Sequence, residues 1–166
     1  MYLEKCYNNN RNFNDNIKCL VTKGENNMYI NRTETKVRYV ETDQMGVVHH
    51  SNYYPWFEIG RTEFIKATGM KYTDMENMGI MMPLTESYCK YIKPAKYEDK
   101  IIIETSIEKL TPVKVIFSYK IIKKENNELL AKGNTTQAFV DKNNFKVMNL
   151  KQCNKELWNK FMELCK

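Results

Sequence analysis

A carboxylate stands in a short loop between two segments of different periodicity. Asp43 follows a run of alternating side chains and precedes a run with helical spacing. A carboxylate in such a loop can activate water as a general base or attack a carbonyl carbon as a nucleophile. The backbone N–H groups at the start of the next helix can hydrogen-bond an oxygen that becomes negatively charged. The ordinary interpretation of a lone aspartate before a helix is a capping or turn residue.

Two adjacent histidines and two helix glutamates are further candidates. Because the side chains of His49 and His50 would diverge and no third ligand has a suitable spacing, we expect no metal site. The side chain of His50 either orients water or fills the entrance of the helix. For Glu58 and Glu63 the favoured interpretation is pairing with Arg61 or a helix-end interaction. Glu58 is the alternative catalytic carboxylate.

A strand and a long helix must position these residues. Residues 33–40 alternate with period two, which predicts a strand. Residues 51–68 carry aromatic side chains at helical spacing and predict an amphipathic helix. Ser51 or Asn52 is the expected N-terminal cap, and Gly69 is expected to end the helix in a left-handed conformation.

The remainder of the chain has the pattern of an antiparallel sheet. A short helical turn is expected over residues 73–78, closed by Gly79, and a C-terminal helix over residues 154–164. Strands are predicted at residues 80–92, 100–110, 113–124 and 129–141. Because neighbouring hairpins form a sheet with one buried face, the aromatic-rich helix is expected to cover that face. The predicted fold class is therefore α+β.

The segment from residue 37 to residue 64 resembles the acyl-CoA thioesterases of the hot-dog superfamily, in the branch of 4-hydroxybenzoyl-CoA thioesterase and the YbgC-type enzymes. The shared pattern is Asp-x-x-Gly-Val-Val-x-His-x-x-Tyr, followed by a helix with Phe-Glu and Arg-x-Glu. The residues that carry it are Asp43, Gly46, Val47, Val48, His50, Tyr53, Phe57, Glu58, Arg61 and Glu63. Weaker similarity continues through residues 82–150, and residues 1–30 lie outside it.

The resemblance implies a hot-dog fold, in which an antiparallel sheet wraps around one long central helix, and hydrolysis of an acyl-CoA thioester. It implies that Asp43 and His50 are the catalytic residues, with the backbone N–H at His50 polarising the thioester carbonyl. No metal or separate cofactor is expected, since coenzyme A is part of the substrate. The implied substrate-binding residues are Gly46, Val47, Val48, His49, Tyr53, Glu58, Lys90 and Lys93.

Several alternative functions stay open. An acyl-carrier-protein thioesterase would use the same chemistry, and the net charge of +6 suits an acidic carrier. A non-catalytic acyl-CoA-binding protein of the same fold is a second alternative. A hot-dog hydratase is disfavoured, because related hydratases carry Asp and His five apart, whereas His49 and His50 are six and seven residues beyond Asp43. Nucleic-acid binding has only the charge in its favour.

Composition limits the class of protein. The 166 residues suit one domain, expected over residues 31–166 after an Asn-rich leader, residues 1–30, that is expected to be disordered. No stretch of about 20 residues is free of charge, so no transmembrane segment is expected. The N-terminus lacks the apolar region of a secretory signal. Five cysteines without a CxxC pair predict a reducing cytoplasm. The resemblance implies a homodimer or homotetramer with shared sites, since a single subunit exposes a sheet edge.

Overall fold

The computed structural model describes residues 18–23 and 28–165 and contains one large antiparallel sheet. Its strands are β1 (Lys18–Lys23), β2 (Tyr29–Lys36), β4 (Leu84–Tyr91), β5 (Lys100–Thr111), β6 (Lys114–Lys123) and β7 (Glu128–Ala138). They lie in the order β1-β2-β5-β6-β7-β4. Two short strands, β3 (Ile80–Met81) and β8 (Val140–Asp141), pair separately.

Four α-helices accompany the sheet in the described residues. The long helix α1 (Tyr53–Lys66) follows a 3₁₀ turn at His50–Asn52. The other helices are α2 (Tyr72–Asn77), α3 (Leu150–Cys153) and α4 (Lys155–Leu164). Gly69 follows α1 with a φ angle of 76°, which confirms the left-handed conformation predicted there, and Gly79, which was predicted to close α2, follows it with a φ angle of 80°.

Helix α1 packs its aromatic stripe onto one face of the sheet. Trp56, Phe57 and Phe64 are fully buried there. The ring of Phe57 stacks on Tyr119 of β6, with ring centroids 4.5 Å apart and planes inclined by 14°. Gly60 allows a close approach to β5, because a Cβ at this position would lie 2.6 Å from Cγ2 of Ile103. The predicted α+β hot-dog architecture, one long helix held by an antiparallel sheet, is confirmed.

Two predicted strands differ from the observed ones. The strand expected at residues 33–40 ends at Lys36, because Tyr39–Glu41 forms a 3₁₀ turn. The run at residues 80–92 divides into β3 and β4. Pro83 lies at this division, and a proline has no backbone N–H to donate to a strand partner.

Asn52 occupies the predicted N-cap position of α1, but the capping hydrogen bond is absent. Neither Ser51 nor Asn52 accepts a capping hydrogen bond at the start of α1. The side chain of Asn52 instead donates through Nδ2 to the carbonyl oxygen of Glu41 at 2.7 Å. Among the described residues, His49 is the only one at this end whose side chain accepts a hydrogen bond from a backbone N–H. Its Nδ1 accepts from the N–H of Ser51 at 3.4 Å. A contact between segments distant in the sequence has therefore replaced the local one.

The leader expected over residues 1–30 lies mostly outside the described residues. Within that range, Lys18–Lys23 forms β1, and β2 begins at Tyr29. In these described segments the structure differs from the expectation of disorder, because β1 pairs antiparallel with β2. Such pairing satisfies backbone N–H and C=O groups that an edge strand leaves open.

Two further findings concern membrane-spanning helices and cysteines. No helix in the described part of the chain is long and apolar enough to cross a membrane. Among the described cysteines, Cys89, Cys153 and Cys165 are free thiols. The cytoplasmic location stays a prediction.

Candidate active site

Asp43 lies in a tight loop that leads the chain from β2 towards α1. Its Oδ1 accepts a hydrogen bond from the backbone N–H of Met45 at 2.8 Å, and its own N–H donates to the carbonyl of Val47 at 2.9 Å. Gly46 has a φ angle of 73°, in the left-handed region that favours glycine, and its N–H donates to the carbonyl of Asp43 at 2.9 Å. These bonds hold the carboxylate in a defined place on the loop.

The loop forms one wall of a cleft of about 320 Å³, and the end of β4 with the segment after it forms the other. Most of the lining side chains are apolar or aromatic, with a carboxylate, a histidine and a lysine among them. This composition is typical of a site for an apolar ligand that a few polar groups orient. The lining residues are Asp43, Met45, Val47, Val48, His50, Tyr53, Tyr91, Ile92, Lys93 and Pro94.

The start of the long helix meets the same cleft at His50. His50 is the first residue of the 3₁₀ turn that continues into α1. No acceptor among the described residues pairs with its backbone N–H. The first N–H groups of a helix have no partner within the helix and lie at the positive end of its dipole. The N–H of His50 is thus available to an oxygen atom of a ligand.

Tyr53 is a buried residue that lines the cleft. Its hydroxyl accepts a hydrogen bond from the backbone N–H of Ala95 at 3.4 Å, and its ring lies edge-to-face against Tyr91 with centroids 5.0 Å apart. Burial raises the pKa of Tyr53 above its ordinary value, although the hydrogen bond from Ala95 opposes the shift. The phenol is therefore neutral at physiological pH and serves as a fixed part of the wall.

Most of the site residues predicted from the sequence lie together. Asp43, Val47, Val48, His50, Tyr53 and Lys93 line the cleft, and Gly46 shapes the loop that carries Asp43. The Lys93 ammonium forms an ion pair with Glu128. Their shared location agrees with one site, and their individual roles stay predictions.

Three predicted substrate-binding residues, His49, Glu58 and Lys90, do not line this cleft. The Nδ1 atom of His49 lies 2.7 Å from Oγ of Ser51, so the ring is engaged in the turn before α1. Glu58 is exposed on α1 and borders a separate surface recess. Lys90 is exposed, and strand alternation sends its side chain to the sheet face opposite Tyr91.

Glu63 follows one of the two alternatives predicted for it. It pairs with Lys66, the last residue of α1, at 2.6 Å, which is the helix-end interaction, and does not pair with Arg61. Nε of Arg61 instead donates to the hydroxyl of Tyr72 at 3.0 Å. Burial raises the pKa of Tyr72 to about 12, although the adjacent guanidinium lowers it.

Sequence reasoning missed part of the cleft and the residue behind it. Tyr91, Ile92 and Pro94 belong to the weaker region of resemblance, but their spacing gives no sign that they face Asp43. Glu41 is buried behind the loop. The only sign of Glu41 in the sequence is its position, an acidic residue directly after a strand pattern.

Within the described ranges, no group of three or more His, Cys, Asp or Glu residues is placed to hold a metal ion.

Comparisons with known proteins agree with this arrangement. The family model described as "Thioesterase-like superfamily" matches residues 37–156. This match confirms the resemblance found in the residues around Asp43.

Individual relatives extend the likeness over most of the chain. "Putative acyl-CoA thioesterase YneP" of Bacillus subtilis (strain 168) is 38% identical over 125 residues, which are 75% of this chain and 90% of YneP. "Acyl-CoA thioesterase YbgC" of Haemophilus influenzae is 27% identical over 107 residues, which are 64% of this chain and 77% of YbgC. The solved DHNA-CoA thioesterase of Staphylococcus aureus superposes with a TM-score of 0.77 at 32% identity, covering 81% of this chain and 90% of that one.

Proposed function

The chain belongs to the thioesterase-like superfamily, a family of thioester hydrolases, and we propose that it is an acyl-CoA thioesterase that hydrolyses an acyl-CoA to the free acid and coenzyme A. The observation that carries the proposal is the meeting of two groups at one largely apolar cleft: the Asp43 carboxylate and the backbone N–H of His50, which has no acceptor among the described residues. Thioester hydrolysis needs both groups, one to start the attack on the carbonyl carbon and one to stabilise its oxygen.

The proposed reaction places the thioester carbonyl between these two groups. Its oxygen accepts a hydrogen bond from the N–H of His50, which strengthens as negative charge develops on that oxygen. Asp43 either removes a proton from water, whose oxygen then bonds to the carbonyl carbon, or attacks that carbon itself and forms a mixed anhydride. In both routes the carbon–sulfur bond breaks and coenzyme A leaves as the thiol.

Labelled solvent oxygen identifies the anhydride route if the label enters Asp43. In a single turnover in labelled water, a mixed anhydride opened by attack of water at the Asp43 carbonyl leaves labelled oxygen in the Asp43 carboxylate. A general-base route, and opening of the anhydride at the acyl carbon, both leave labelled oxygen in the acid product alone. Label found in the Asp43 peptide by mass spectrometry therefore establishes the anhydride.

The two ends of the substrate suit different parts of the cleft. Val47, Val48 and Ile92 offer apolar side chains for the acyl group. Coenzyme A carries phosphates, and Lys93 is the lysine that lines this cleft. Because the partner of Lys93 is the exposed carboxylate of Glu128, a phosphate can replace that partner at low cost.

We also propose that the working form is at least a homodimer, joined through β4. This strand is the last of the sheet order, so it has β7 on one side and no described strand on the other. Leu84, Tyr88 and Tyr91 expose large apolar surfaces along it. An unpaired edge with exposed apolar side chains favours pairing with a second copy. Residues that line the cleft next to β4 would then lie close to the partner subunit.

A thiol-release assay over a panel of acyl-CoA and acyl-carrier-protein thioesters tests the function. Asp43→Asn keeps an oxygen for the N–H of Met45 but removes the charge, and it is expected to lower kcat at least about 100-fold. Asp141→Asn is the matched control. Oδ1 of Asp141 also accepts a hydrogen bond from the backbone N–H two residues later, that of Asn143, at 2.9 Å, and Asp141 does not line the cleft. Equal rates for wild type and Asp43→Asn would refute the assignment. Activity is expected to persist in a metal chelator.

A further inference from the structure

Glu41 is a buried carboxylate that the proposed reaction does not use. Only 3% of this residue is exposed. Its Oε2 accepts from the backbone N–H of Arg38 at 2.7 Å, and its Oε1 accepts from the indole N–H of Trp56 at 3.1 Å and from Nη2 of Arg38 at 3.0 Å. Burial of a carboxylate is unfavourable unless donors surround it, so these three bonds must be kept together.

The main chain of Glu41 reaches the other side of the site. Its carbonyl oxygen accepts from the backbone N–H of His49 at 2.9 Å and from Nδ2 of Asn52 at 2.7 Å. The side chain thus holds the first turns of α1 through Trp56, while the carbonyl holds the turn that contains His50. Asp43 stands only two residues further along the same chain.

We infer that Glu41 is a positioning residue, which sets the separation between the Asp43 carboxylate and the backbone N–H of His50. This inference rests on the proposed function of Asp43. Both oxygens of Glu41 must act as acceptors at the same time. A glutamine of the same size has one acceptor oxygen, and its amide group would face a donor N–H. The loop or the helix must then shift, and displacement of reacting groups by about 1 Å can lower a rate about 100-fold.

The test compares Glu41→Gln with Glu104→Gln by kcat, KM and Tm on acyl-CoA substrate. Glu104 is the other buried acidic residue of the described ranges, and it accepts from Nε of Arg32 at 2.9 Å on strands away from the cleft. We expect Glu41→Gln to lower kcat about 10- to 100-fold with KM changed less than about threefold. Glu104→Gln is expected to lower Tm while kcat stays at the wild-type value. The NMR signal of the Trp56 indole N–H is expected to move in Glu41→Gln alone.

Trp56→Phe gives a second route if Glu41→Gln does not fold. It keeps the carboxylate and removes one of its donors, so kcat is expected to fall about 3- to 10-fold. Three results would overturn the inference. The first is a wild-type kcat in Glu41→Gln, and the second is an equal loss of kcat in both glutamine variants. The third, which applies if Glu41→Gln is unfolded, is a wild-type kcat in Trp56→Phe. Asp43→Asn is measured alongside. If that variant keeps the wild-type rate, the proposed function itself fails, and the two failures are thereby told apart.

Discussion

The hydroxyl of Tyr91 donates a hydrogen bond to the backbone carbonyl of His50 at 3.2 Å. This bond connects the end of the edge strand β4 to the turn at which the long helix begins. The two residues are 41 positions apart, so only the folded chain brings them together. The bonded carbonyl belongs to the peptide that follows His50, so Tyr91 of the opposite wall restrains the turn whose preceding peptide carries the proposed oxyanion donor.

Tyr91→Phe is expected to lower kcat/KM up to about 10-fold, since a neutral hydrogen bond contributes about 0.5–1.5 kcal/mol. The ring contact with Tyr53 would remain, so Tm is expected to change little. Tyr39→Phe, which also removes one hydroxyl but from an exposed tyrosine, is the control. Steady-state kinetics check the prediction, and equal kcat/KM for both variants would contradict it.

Gly46→Ala and Gly69→Ala separate loop shape from general stability. Their φ angles are 73° and 76°, and neither has any atom within 4 Å of the Cβ position, so both substitutions cost backbone strain without a clash. Each is expected to reduce the free energy of unfolding by about 1–2 kcal/mol. Only Gly46→Ala is expected to lower kcat/KM, by about 10-fold or more, because Gly46 shapes the Asp43 loop. Denaturant titrations and kinetics on both variants provide the measurement; an unaltered rate in Gly46→Ala counts against the role of the loop.

Charges on the edge strand are expected to separate the proposed dimer. Leu84→Lys combined with Tyr88→Lys places two ammonium groups on β4, and charge at an edge opposes pairing between strands. The wild type is expected to have at least twice the chain mass of 19.8 kDa in light scattering, and the double variant that of one chain. Val113→Lys with Met162→Lys, at exposed positions off β4, is expected to leave the assembly intact. A monomeric wild type would argue against the dimer proposal.

The free energy of unfolding is expected to fall as pH rises above about 10. Burial raises the pKa of Tyr53, Tyr72 and Tyr119 in the folded protein, that of Tyr72 to about 12 from 10.0. Above pH 10 the unfolded chain releases these protons and the folded protein keeps them. The unfolded state then binds fewer protons, and stability decreases with pH. Tm measured from pH 8 to pH 11 is expected to fall less in Tyr72→Phe than in Tyr97→Phe, which alters an exposed tyrosine; parallel curves would exclude the contribution of Tyr72.

The sequence by itself determined the long helix, the central strands of the sheet and the short segment that carries the chemistry. Alternation predicts β5, β6 and β7. Each of these strands buries one face, so apolar side chains recur at every second position. The aromatic stripe predicts α1, and the position of Gly69 predicts a left-handed helix end. The motif around Asp43 identifies the family because its residues are close together along the chain.

Only the tertiary structure decided which distant residues complete the site. Tyr91, Ile92 and Pro94 face Asp43 because β4 pairs with β7 at the sheet edge, and no local pattern encodes that pairing. The same holds for the start of α1, where Asn52 contacts Glu41 across the loop instead of capping its own helix. Propensity and periodicity report on a residue and its near neighbours, whereas burial and hydrogen bonding of Glu41 depend on segments that meet only after folding.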